Sequence, residues 1–143
     1  MTNDNDAIFI DRLFYFTETD TEEIDNPSLS QITNAINLLD GVSIDTVSIG
    51  LSNGNSMDIG GGKDNQYICY IRTSSTLYNL IDPAISVDSN NVVMIMMNEE
   101  ANSFPQCCVV NQEMVITAVH YFTRTGECHP DLHWDNALDF EPL

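Results

Sequence analysis

The chain has 143 residues, with four Lys and Arg against 22 Asp and Glu, giving a formal charge of −18. That sign argues against partners held through phosphates, because nucleic-acid binding needs Lys and Arg to displace condensed counterions, and the same field repels anionic membranes. With 43% hydrophobic and 8% aromatic residues, the chain is too apolar for a disordered acidic tail and is sized for one domain around one core.

The opening Met1-Thr2-Asn3-Asp4-Asn5-Asp6 has neither a basic n-region nor an apolar h-region, so a cytoplasmic location is expected. Within residues 1–25 the acids outnumber the single base, Arg12, yet Ile8-Phe9-Ile10 and Leu13-Phe14-Tyr15-Phe16 are apolar and aromatic. A strand or strand pair is expected there. Asn26-Pro27-Ser28 opens a helix over about 28–39: Ser28 and Gln31 have the spacing of a capping box, and Leu29, Ile32, Ile36 and Leu39 repeat at helical spacing, with Gly41 as the stop.

Val47, Ile49 and Leu51 alternate with polar residues, and Asn53-Gly54 follows as a hairpin turn. The economical reading is a three-strand meander: 44–51, then about 55–59, then Tyr67 to Thr73, with a bend at Gly60-Gly61-Gly62-Lys63-Asp64-Asn65. Leu77 to Ile81 reads as a helical turn before Pro83. Val92-Val93-Met94-Ile95-Met96-Met97 is apolar at every position, as in a central strand covered on both faces, and would pair with Phe104 to Val110 across a loop from Asn98 to Ser103.

A second helix is predicted over about 112–124, with Glu113, Thr117, His120 and Arg124 on a polar stripe and Gly126 at its end. Leu132-His133-Trp134 forms a last short strand. The expected fold class is α+β: a single domain over 1–143, mainly an antiparallel sheet with two packed helices.

No catalytic motif survives its context. Gly50-Leu51-Ser52-Asn53-Gly54 has the spacing of a nucleophile elbow, but the residues after the serine make a turn rather than the required helix. Gly60-Gly61-Gly62-Lys63 lacks the Ser or Thr, the earlier glycine and the following helix of a phosphate loop. Pro105-Gln106-Cys107-Cys108 has the wrong spacing for a deaminase zinc site. His120, Cys128, His129 and His133 include enough ligand types for a metal-dependent enzyme, the alternative reading, but without the paired spacing of a structural zinc site. No cofactor and no resident metal are expected. Cys69, Cys107, Cys108 and Cys128 are expected as free thiols, mostly buried.

Charge and apolar surface remain. Carboxylates gather at Glu18 to Asp25, at Glu99-Glu100, and from Glu127 through Asp131, Asp135 and Asp139 to Glu141 around Trp134. With so few bases, most of them repel one another, a strain that a cationic partner would relieve. A phosphate-mimicking decoy for a host DNA enzyme would share this logic but would bind several unrelated basic proteins.

Met57-Asp58-Ile59-Gly60-Gly61-Gly62 before a Tyr-rich strand, Ala118-Val119-His120-Tyr121-Phe122-Thr123-Arg124-Thr125-Gly126, and the closing Leu132-His133-Trp134 resemble the type-one immunity proteins of bacterial polymorphic toxin systems. The similarity spans about residues 30–135 and leaves residues 1–25 outside it. It implies a non-enzymatic protein that neutralises a cognate toxin, often a nucleic-acid deaminase and sometimes a nuclease. The expected contacts are Glu99, Glu100, Asp131, Trp134 and Asp135, filling the basic substrate groove of that toxin. Neither direct nucleic-acid binding nor membrane binding is expected.

Overall fold

A computed structural model describes residues 10–16 and 21–136. Ile8 and Phe9, the acids Glu18 and Asp20, and Asp139 and Glu141 fall outside those residues. The apolar-aromatic run makes β1 (Ile10–Phe16), which turns back as β2 (Thr21–Asp25). Helix α1 (Leu29–Leu38) follows, and its capping box is present: Gln31 N–H donates to Ser28 Oγ at 3.1 Å and Ser28 N–H to Gln31 Oε1 at 2.8 Å. The helix closes at Leu39, whose N–H reaches Ile36 O; Gly41, at φ 72, serves the loop beyond it rather than the cap itself. In that loop Asp40 accepts from the N–H groups of Val42, Ser43 and Ile44 at 2.8–3.0 Å and from the Ser43 hydroxyl at 2.7 Å.

The predicted meander is present as β3 (Thr46–Leu51), β4 (Ser56–Gly61) and β5 (Tyr67–Arg72). Leu77–Ile81 is a strand, β6, and not a helical turn. Its Leu77, Leu80 and Ile81 share helical spacing, but five residues cannot repay helix nucleation, whereas β5 on one side and β9 (His133–Asp135) on the other supply ladder partners. The main sheet is antiparallel throughout, in the order β2-β1-β3-β4-β5-β6-β9.

Helix α2 (Gln112–Thr125) is capped by Asn111, whose side chain accepts from Met114 N–H, and is closed by Gly126 in the left-handed region. Both helices pack on one face of the sheet. Ile32, Ala35 and Ile36 of α1 and Val115, Ala118, Val119 and Phe122 of α2 join Val47, Ile49, Met57, Ile59, Cys69 and Ile71 in the larger core. Strand alternation sends Ile68 and Tyr70 to the opposite face.

There the second expectation fails. Strand β7 (Val92–Met97) is not a central strand; among the described residues it pairs only with β8 (Glu100–Pro105), in a separate two-stranded sheet. The connection is not a six-residue loop but the two-residue turn Asn98–Glu99, both at positive φ (55 and 67), as in the primed turns that suit hairpin twist. Val93, Ile95, Met97 and Phe104 pack inward on Ile68 and Tyr70. The outward side is open, with Val92 62% and Met94 59% exposed.

The glycine bend seats this hairpin. A Cβ on Gly60 would lie 2.5 Å from Met97 Sδ, and one on Gly62, at φ 114, would lie 2.5 Å from Leu39 O. One glycine therefore lets the hairpin lie flat on β4, and the other lets the bend pass the end of α1.

Candidate functional site

The hairpin tip is fixed by residues that sequence reading passed over. Asp45 and Thr46, each 5% exposed, lie at the start of β3. Asn98 N–H donates to Thr46 Oγ1 at 2.8 Å and Glu99 N–H to Asp45 Oδ2 at 3.0 Å, while the Thr46 hydroxyl donates to Asp45 Oδ1 at 2.9 Å. These bonds hold the backbone of Glu99 in a conformation that a non-glycine residue seldom adopts. Asn102 Nδ2 adds bonds to Met97 O at 3.2 Å and Glu100 O at 3.1 Å. The side chains of Glu99 and Glu100 are exposed on a held backbone.

The other three predicted residues lie on or next to β9. Asp131 is exposed, and its backbone N–H donates to His129 Nδ1 at 3.0 Å. Trp134 is half-buried against the larger core, with its indole N–H donating to His129 O at 3.1 Å. Asp135 is close enough to Cys108 to help raise that thiol's pKa, after burial and Cys107. Cys108 lies in the short turn Gln106–Cys108 that leaves β8, so Asp135 is near the base of the hairpin and Glu99 at its tip. Strands of six residues put about 17 Å between those ends. The five residues thus form two groups, one at each end of the hairpin.

The histidine-cysteine alternative finds no common focus. His120 is exposed on α2, His133 is exposed on β9, and the half-buried His129 packs on Tyr121 with ring centroids 4.8 Å apart and planes tilted by 52°, while Arg124 sits 5.6 Å over the same Tyr121 ring. Among the described residues no group of three His, Cys, Asp or Glu is arranged to hold a metal ion. All four cysteines are free, three buried and Cys128 half-buried. Burial pushes the Cys69 and Cys108 thiols far up; Cys128 is pushed up to about 11 by burial and then by Glu127. Those three thiols are therefore protonated at neutral pH and poor nucleophiles. Gly50–Gly54 runs from the last residues of β3 into the turn before β4, with Gly54 N–H on Leu51 O at 3.0 Å and a strand, not a helix, following.

Two grooves open on the hairpin side of the sheet. One, of about 330 Å³, crosses the uncovered strands between Arg12, Phe14, Glu23, Ser48 and Asp58. Its polar groups bond each other: Arg12 lies 3.7 Å from Glu23, and the Ser48 hydroxyl donates to Asp58. The other, of about 470 Å³, runs between the hairpin and the loops after α1 and β4, lined by Val42, Lys63, Asp64, Met94 and Met96 among others. Sequence gave no signal for this groove, because an all-apolar β7 does not show which face will be left open. No helix among the described residues is long and apolar enough to cross a membrane.

Residues 20–136 match the family model described as immunity protein Imm1. No curated protein is similar enough to match.

Proposed function

The chain belongs to the Imm1 immunity protein family, and from that premise we propose that it neutralises one cognate toxin of a polymorphic toxin system, a nucleic-acid deaminase or nuclease, in the cytoplasm of the cell that makes it. It acts as a stoichiometric plug and not as an enzyme. Glu99 and Glu100 at one end of the hairpin and Asp131 and Asp135 near β9 meet the cationic walls of the toxin's substrate groove. Trp134 braces the turn that carries Asp131 and adds its exposed edge to the contact.

The observation that carries this reading is the charge balance. Twenty-two acids face four bases, so most carboxylates have no one-to-one ion pair within the chain, and the field they create steers a basic partner and accelerates its docking. Protection against a lethal enzyme calls for a dissociation constant of nanomolar or below, about 12 kcal/mol, within reach of an interface of ordinary size.

The test is co-expression with the toxin encoded beside the gene. A one-to-one complex and restored growth are expected. Charge reversal at Glu99, Glu100, Asp131 and Asp135 should slow association and flatten its salt dependence. Continued killing with the wild-type protein present at stoichiometric level would overturn the function; an unchanged association rate in the reversed variant would overturn the assignment of these carboxylates.

A further inference from the structure

The three most exposed large hydrophobic residues among those described are Val42 at 72%, Val92 at 62% and Met94 at 59%. Val42 and Met94 line the same groove, and Val92 precedes Met94 by two positions on the outward side of β7. Clustered exposure of this kind marks an interaction site, whereas apolar residues scattered singly need no explanation. The groove is also concave, and its floor rests on Ile95, inward-facing and 5% exposed. An apolar side chain from a partner would therefore enter a preformed recess. Met94 and Met96 bring unbranched, polarisable side chains that adapt to such an insertion.

The lining itself holds one acid and one base, and the charge of the whole chain points to the occupant. Asp64 lies in the groove's wall and Glu99 at the adjoining hairpin tip, with Lys63 as the one base among the lining residues. A second copy of this chain would bring its own −18 charge against that rim and be repelled. A basic protein presenting an apolar side chain among Lys and Arg would instead satisfy both the recess and its border.

We infer that the toxin docks on the outward face of the β7–β8 hairpin, seating an apolar side chain in the groove between Val42, Met94 and Met96, with Val92 completing the contact and Asp64 and Glu99 pairing with surrounding cations. This inference rests on the reading that the partner is a toxin, and it deepens that reading. The carboxylates set the approach, and the apolar recess sets the residence time, because buried central anchors carry most of the energy of an interface.

The experiment compares wild type, Met94→Lys, Met94→Ala and, as a control for net charge, Thr117→Lys on the exposed stripe of α2, each by calorimetry against the co-expressed toxin with melting temperature as the check on folding. Met94→Lys should weaken binding by about 30-fold or more and Met94→Ala by roughly 5-fold or more, chiefly through faster dissociation. Thr117→Lys should stay within about 3-fold of wild type. Equal affinities of Met94→Lys and Thr117→Lys overturn the docking face while leaving the function standing. A wild-type protein that binds no toxin overturns the function instead. Sedimentation closes the remaining case: a wild-type dimer that Met94→Lys splits would assign the groove to a second copy and refute the inference.

Discussion

The two faces of the seven-stranded sheet are covered in different ways. On one, α1 and α2 lay continuous apolar stripes over β1, β3, β4 and β5, and the buried residues form the larger core. On the other, a hairpin of its own small sheet covers part of the surface through Ile95, Met97 and Phe104, and leaves its outward side and the β1–β3–β4 strip open. The helix face thus carries the larger core, with Leu29 and Leu38 at the two ends of α1 left 41% and 48% exposed. The hairpin face carries exposed Val and Met and the acidic tip, the features on which the proposed recognition rests.

The widest separation between the two faces should come from truncation. Phe122→Ala empties a fully buried site on the helix face and should cost about 3–5 kcal/mol in urea denaturation. Met94→Ala on the hairpin's outward side should stay within about 0.5 kcal/mol. Comparable losses from the two would erase the distinction.

A smaller effect is expected where the faces meet. Gly60→Val drives a side chain into Met97, which is itself fully buried, and should destabilise by about 1–3 kcal/mol. Because the hairpin lifts, toxin affinity should fall further than the stability loss accounts for. A variant that loses stability but keeps full affinity would show that the hairpin's seating is irrelevant to recognition.

The smallest effect concerns the loop beside the groove. The backbone N–H of Ile44, the Ser43 hydroxyl and the N–H of Val42 hold the Asp40 carboxyl at about 2, below its ordinary 3.8. A carboxyl depressed on folding stabilises the folded state above its unfolded pKa, and that contribution is lost as pH falls from roughly 4 toward 2. The group is largely exposed, so solvent screening keeps the effect small. Asp40→Ala should lower neutral-pH stability by a small amount and flatten the acid limb to match, so that the variant and wild-type curves converge toward pH 2; an acid limb equal to wild type would remove Asp40 from the account.

The elements of the helix face were legible in the sequence because each carries a local signal. Ser28 and Gln31 announce a cap, Val47, Ile49 and Leu51 alternate, and Gly126 ends a helix. The hairpin face was misread for two physical reasons. Leu77, Leu80 and Ile81 fit a helical period over a length too short to decide it, and the strand state was chosen by neighbours far along the chain. Val92 to Met97 shows no alternation, so burial on one side and exposure on the other could not be told apart from burial on both. The tip acids Glu99 and Glu100 could be placed in a loop from sequence, but their anchor could not, since Asp45 and Thr46 lie more than fifty positions away.

The β7–β8 hairpin shares no ladder with the main sheet and is held by inward side chains and by two hydrogen bonds at its tip. Its outward positions therefore take no part in the main-sheet ladders or the larger core, so substitutions there should leave that framework little disturbed. On the docking inferred above, a lineage facing a changed toxin could rewrite that strip one residue at a time, keeping a foldable protein at every step of the pursuit.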